Sequence, residues 1–237
     1  MPQIDLDSEL LNFIIERDYT PGDRLPTIAE LQNKDMLGLS TSKIREQLEV
    51  ARSLGLVEVR SRTGMRLQDY DFAPAVRLSL FFALAQNPGN FELFSELRKH
   101  VEIAFWHEAC ERLTADDTAA MRNCIDEASR QLNGEWIHIP NQEHREFHMR
   151  IFRHLENPFV LGILEAYWDA YDAVELNRYA DYAYLQEVWQ YHERILNEIC
   201  KGDFAAAQEA FIQHTQLLRH QPRMRDLEKN AHKKGVS

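Results

Sequence analysis

From Pro74 onward the chain repeats one pattern, and that pattern leaves few folds open. Leu, Ile, Phe and Ala recur at spacings of three and four, and short polar breaks ("NPGN", "NGEW", "ENP", "KGD") interrupt them. An apolar stripe at that period is the signature of a helix that buries one face. It predicts helices over Pro74–Gln86, Asn90–Leu113, Ala115–Leu132, Pro140–Leu155, Pro158–Arg178, Tyr182–Lys201 and Phe204–Glu228. No stretch here alternates as a strand does, so the second half is expected to be an all-α antiparallel helical bundle. Its longest apolar run, Leu78–Ala85, is far shorter than the roughly 18 residues a membrane span requires.

The first 68 residues read differently. "DSELLNFIIERD" carries Leu10, Leu11, Phe13, Ile14 and Ile15 and predicts a first helix. Pro21, Gly22 and Pro26 then break the chain. Thr27 and Glu30 stand at capping-box spacing for a second helix. Ser40 caps a third, with Ile44, Leu48, Ala51 and Leu54 on one face and Gly55 at its end. "LVEVRSRTGMRL" alternates on either side of a Ser-Arg-Thr-Gly turn, as a β-hairpin does. Three helices followed by a basic hairpin make a winged helix-turn-helix. The expected organisation is a DNA-binding domain over 1–68, a linker over 69–75, a helical domain over 76–230 and a tail over 231–237.

A net charge of −11 argues against nucleic acid only if it is spread evenly. Between Ser40 and Arg66 the chain carries net +3, so the remainder carries −14. Local charge governs phosphate contact, and an acidic body can still present a basic patch to DNA. The start of a recognition helix faces base edges in the major groove, which points to Ser40, Thr41, Ser42, Lys43 and Arg45. The wing offers Arg60, Arg62, Thr63, Gly64 and Arg66 to phosphates or the minor groove. A small helical interaction module is the alternative, and the Gly-tipped wing with three arginines weighs against it.

"NQEHREFHMRIFRHLENP" places His144 and His148 four residues apart, hence on one helix face. Zinc proteases need a glutamate directly after the first histidine, whereas this chain has Arg145 there and Glu146 one place later. His192 and His214 sit on later helices, and helical bundles build metal sites from facing helices. Four imidazoles suit a divalent transition metal such as zinc or nickel. The competing account of any single helical histidine is a surface or hydrogen-bonded residue, and the other six stay under it. A bundle metalloenzyme is a rival reading, with Glu102, Glu146 or Glu193 as its general base.

Together these parts resemble the GntR transcription regulators, in the FadR-like subfamily with an FCD effector domain. The resemblance rests on "PGDRLPTIAEL", on "STSKIREQLEVARSLGLVEVRSRTG", on Arg98 and Glu102 as an R-x-x-x-E pair, and on His144, His148, His192 and His214. It implies a bacterial homodimer on operator double-stranded DNA. It also implies a metal held by the four histidines and a small organic or sugar acid as effector, with Arg98 and Glu102 at the effector site. It implies no catalysis; a structural metal without an effector is the variant reading. The chain departs from the family pattern in three places. His144 stands where Asp is usual, Ala29 and Thr41 stand where arginines are common, and "LQNKDMLGLS" is about two residues long for the inter-helix turn.

Three cysteines (Cys110, Cys124, Cys200) at long spacings suit neither a disulfide framework nor a CxxC metal site. The acidic start of the chain lacks the basic region of a signal peptide. A reducing cytoplasm is the expected compartment.

Overall fold

A computed structural model describes residues 4–134, 138–174 and 182–217. The chain forms two compact units, residues 1–78 and 79–237. The first opens with α1 (Glu9–Glu16), capped by Ser8, whose side chain accepts from Leu11 N. Leu10, Phe13 and Ile14 turn inward from it. α2 (Ile28–Leu31) starts on the Thr27–Glu30 capping box, with both reciprocal bonds formed. α3 (Thr41–Ser53) starts on Ser40, which accepts from Lys43 N, and buries Ile44, Leu48 and Ala51. After it Gly55 takes φ +74° and turns the chain into the wing.

The wing is one strand richer than the sequence pattern predicts. β2 (Val57–Arg60) and β3 (Gly64–Leu67) form the expected hairpin, and β1 (Arg24–Leu25) pairs antiparallel with the far side of β3, in the order β1-β3-β2. Arg24 lies opposite Arg66 and Leu25 opposite Met65. Two residues are too few to show alternation, so β1 escapes a pattern search. It exists because Leu67 N donates to Asp23 O and Gly22 N to Leu67 O, which fastens the "TPGD" turn to the sheet. Leu25, Leu31, Ile44, Val57 and Met65 close one small core.

The second half is helical, as expected: α4 (Ala73–Gln86), α5 (Asn90–Glu111), α6 (Ala115–Asn133), α7 (Asn141–Phe152), α8 (Pro158–Ala173), α9 (Tyr182–Lys201) and α10 (Phe204–Leu217). The expected linker ends earlier than 75, because residues 73–75 already belong to α4. Pro74 is tolerated in a first turn, where its missing N–H is not needed, and Asp71 Oδ1 accepts from Ala73 N. The division between the units falls inside α4, at 78/79. The predicted extensions of α8 to Arg178 and α10 to Glu228, and the tail over 231–237, lie outside the described residues. No described helix is long and apolar enough to cross a membrane. The three cysteines are free.

Within the helical unit, α10 packs on α9 and α5, and α7 packs on α5, α6 and α8. Trp106 is wholly buried, stacks on Phe211 with centroids 4.8 Å apart, and donates its indole N–H to Phe204 O at 2.9 Å. That ties α5 to the start of α10. Asn157 caps α8, and Pro158 follows in its first turn, which fixes where α8 leaves α7. These anchors aim the inner faces of α5, α7, α9 and α10 at one another.

Gly55 gives a test of the first unit. A Cβ there would meet Pro74 Cγ at 2.8 Å, in a backbone conformation that L-residues avoid. Gly55→Ala is expected to lower the unfolding free energy by about 1–3 kcal/mol, read as a lower urea midpoint.

Candidate metal centre

The helical unit brings His144 and His148 of α7, His192 of α9 and His214 of α10 together, one ligand atom of each lying within 4.8 Å of the others. All four side chains are buried. His148 Nε2 lies 3.0 Å from His192 Nε2 and 3.2 Å from His214 Nε2. Two nitrogens that share one ion at about 2.1 Å stand roughly 3.0–3.4 Å apart, so these spacings are those of co-ligands.

Proton counting points the same way. Arg98 Nη2 lies 3.1 Å from His148 Nδ1, and a guanidinium only donates, so that nitrogen accepts and the ring's proton sits on Nε2. A single N–H cannot serve both facing imidazoles. His144 Nε2, His192 Nδ1 and His214 Nδ1 have no hydrogen-bond partner at all. No choice of tautomers satisfies this cluster, and buried polar atoms left unpaired are costly. A cation among the lone pairs removes the deficit, so these residues fit the divalent metal that the sequence suggests.

Electrostatics keeps the donors in the ligating form. Burial first, then the repulsion a proton here would meet from a protonated His214 and from the Arg98 guanidinium, holds His144 well below the usual imidazole range. His148 and His192 are likewise far below it, again mainly through burial. His214 is pushed down to about 3. Aromatic rings enclose the group: Trp168 and Trp189 have centroids 4.9 and 6.2 Å from His144, and Phe147 packs 4.6 Å from His192.

Arg98 and Glu102, one turn apart on α5, complete the site. Arg98 Nε stands 2.6 Å from Glu102 Oε2 as a close ion pair, out of line for a good hydrogen bond, and both side chains are buried. The Arg98 guanidinium lies 4.4 Å from the Tyr167 ring centroid. Glu102 Oε1 has no hydrogen-bond partner and lies 4.0 Å from His148 Nδ1. Burial lifts the Glu102 carboxyl to about 7 despite the arginine beside it. The other two carboxylates considered as a base are engaged on the surface, Glu146 with Arg150 and Glu193 with Arg122.

A narrow cavity with room for about one water opens beside His144, walled by Pro140, Tyr171, Tyr184, Leu185, Val188 and Trp189 among others. Of the aromatics that the sequence leaves undecided, Tyr171, Tyr184 and Trp189 line this cavity, while Tyr167 and Trp168 pack in the interior with Leu80, Leu84 and Phe91.

In the first unit, Ser40, Thr41, Ser42, Lys43 and Arg45 occupy the start of α3, and Arg60, Arg62, Thr63, Gly64 and Arg66 the wing. Several of these cations have partners. Lys43 pairs with Glu9, Arg60 with Glu58 at 2.8 Å, and Arg66 donates to Gly22 O at 2.6 Å. Arg45 and Arg62 are exposed. The sequence reading missed Arg24, whose guanidinium reaches the wing tip with Nε 3.4 Å from the position a Cβ would take on Gly64. Only the pairing of β1 with β3 reveals it.

Two family models match this chain: "FCD domain" over residues 93–217 and "Bacterial regulatory proteins, gntR family" over residues 5–67. Among curated proteins, the chain is 25% identical over 218 residues to the Uxu operon transcriptional regulator of Escherichia coli (strain K12), spanning 90% of this chain and 83% of that one. It is 25% identical over 206 residues to the HTH-type transcriptional regulator LutR of Bacillus subtilis (strain 168), spanning 83% and 90%. The solved structure of Streptococcus agalactiae GntR superposes with a TM-score of 0.65 at 20% identity, over 90% of this chain and 96% of that one, and so shares the fold.

The buried imidazoles make acid stability a test. Each binds its proton less readily folded than unfolded, so stability present above about 6.5 is lost as pH falls toward the depressed folded values. The loss approaches about 1.4 kcal/mol per pH unit for each histidine. Glu102 opposes it between about 7 and 4.5, as one group against four. Chelator-treated protein is expected to melt progressively lower from pH 7.5 to 5.5, and a flat profile would contradict this burial.

Proposed function

Because the chain belongs to the gntR family of bacterial regulatory proteins and carries an FCD domain, it is a DNA-binding transcription regulator rather than an enzyme, and we propose that its helical unit is a metal-dependent sensor of a small carboxylate. The observation that carries this reading is the convergence of four buried, neutral imidazoles whose lone pairs have too few protons to satisfy them. His144, His148, His192 and His214 would hold the ion. A divalent cation on four neutral ligands keeps its full charge and can accept a carboxylate oxygen at an open position.

The neighbours fit that role. If His148 gives Nε2 to the ion, its ring proton belongs on Nδ1, and Glu102 Oε1 at 4.0 Å is the nearest carboxylate to accept it. Arg98 can then no longer donate to that nitrogen, and its planar fork becomes available to an anion. With His144 where the family usually has Asp, the ligands bring no negative charge of their own. An anionic effector therefore gains more at this site than at one with a carboxylate ligand.

In the DNA-binding unit, Arg45 and Ser40 to Lys43 are assigned to the major groove. Arg60, Arg62, Thr63, Gly64 and Arg66, joined by Arg24, are assigned to the wing's contacts. The working form is a cytoplasmic homodimer on two operator half-sites. Exposed Leu93 and Leu97, one turn apart on α5, support a self-association face, being 71% and 48% accessible in the single chain.

Three measurements test the reading. Elemental analysis of purified protein is expected to find about one divalent ion per chain, lost in His192→Ala. Glu102→Gln is expected to weaken the metal about 10–100-fold in a chelator competition. Arg45→Ala is expected to weaken operator binding by about 1–3 kcal/mol, read by titration at fixed salt.

A further inference from the structure

A cation on a DNA-binding face strengthens binding to any duplex, because phosphates carry no sequence. The recognition helix of this chain comes with an anion of its own. We propose that Glu9 is an internal counterion for Lys43, competing there with DNA phosphate and so weakening the hold of the protein on DNA of arbitrary sequence; this rests on the placement of α3 in the major groove proposed above.

The first ground is geometry. Glu9 stands in the first turn of α1, and α1 packs on α3, with Leu10, Phe13 and Ile14 sharing a core with Ile44 and Leu48. One oxygen of the Glu9 carboxylate meets Lys43 Nζ, and the other accepts from Gln47 Nε2. Lys43 and Gln47 are one turn apart on α3, so a single carboxylate spans both.

The second ground is that the contact is held in place. A surface ion pair between two long side chains usually contributes little, since both must be immobilised. Here Gln47 is fixed from its other end, where Oε1 accepts from Leu10 N at 2.8 Å and from Ser8 Oγ at 3.3 Å. Leu10 N belongs to the first turn of α1, which has no carbonyl of its own helix to bond. Gln47 therefore caps α1, and its amide nitrogen is left facing Glu9. Lys43, ahead of the other contacts, holds the Glu9 carboxyl down to about 2, so it is charged wherever DNA binding is measured.

The third ground is the contrast along α3. Lys43 and Glu9 are each about half exposed, so a phosphate can reach Lys43 but meets the carboxylate there. Arg45, two residues on, is exposed and has no carboxylate partner among the described residues. The start of α3 thus offers one free cation and one already matched. Glu9 removes about one phosphate contact from the sequence-independent part of binding. Bulk DNA competes with any operator through that part alone.

The test titrates full-length protein with a fluorescent mixed-sequence duplex of about 30 base pairs, by anisotropy, across about 50–300 mM NaCl. Both side chains are half exposed, so neither substitution disturbs the core. Glu9→Gln is expected to bind about three- to tenfold more tightly at about 100 mM salt, with the slope of log affinity against log salt steeper by about 0.9, the value of one phosphate. Lys43→Gln added to Glu9→Gln should remove both gains, and Lys43→Gln alone should change binding much less than it does there. Unchanged affinity and slope in Glu9→Gln overturn the proposal. So does a gain that persists with Lys43→Gln, since Glu9 would then act only as one more negative charge. Arg45→Ala separates this from the groove reading. If it weakens duplex binding while Glu9→Gln has no effect, α3 still meets DNA and only the counterion role falls. If neither Arg45→Ala nor the paired substitutions alter duplex binding, the groove reading falls and this proposal with it.

Discussion

The helical unit is organised around four imidazoles withdrawn from water to a single point. Such a group folds only if three helices deliver it together, if every ring stays neutral, and if something satisfies the nitrogens that face inward. The first condition is met by apolar packing: Trp106 on Phe211, and Phe147, Trp168 and Trp189 around the rings. The second follows from burial and from Arg98, whose charge disfavours any further proton nearby. The third is left open by the protein's own atoms, and this is the physical reason to read the cluster as a cation site.

The same arrangement sets the charge balance at the proposed site. Arg98 and Glu102 are buried side by side inside the unit, and the neutral imidazoles add no negative charge. An incoming dication would therefore be buried without a compensating ligand, which an anion can provide. In the proposed reading, metal and acid would then be bound as partners rather than independently, since linkage requires each to favour the other. In a chain with a carboxylate at position 144, part of this dependence would be absent.

Much of the fold was legible along the chain because its causes are local. Thr27 and Glu30 announce a capping box, Ser40 an N-cap and Gly55 a helix end, since each acts on backbone groups within four residues. The stripes of α5 to α10 are equally local, being a period of one helix. What local pattern could not show is pairing across distance. β1 has two residues and exists only by virtue of β3, so Arg24 was invisible as a wing residue. Lys43 reads as a free cation in the sequence, yet it meets Glu9 from another helix. Tyr171 and Tyr184 are no different in sequence from Tyr167, but they line the cavity while Tyr167 packs over Arg98.

By itself the sequence determined a winged helix-turn-helix followed by a helical domain, the face shared by His144 and His148, and the family to which both halves conform. Those follow from residue spacing and capping, which operate over a turn or two of chain. Only the tertiary structure decided that His192 and His214, 44 and 66 residues beyond His148, bring Nε2 to within 3.0 and 3.2 Å of it. It also decided that Arg98 addresses His148 and that apolar walls stand beside His144. Helix packing sets those distances, and packing depends on how side chains from separate helices interdigitate, which no single segment encodes.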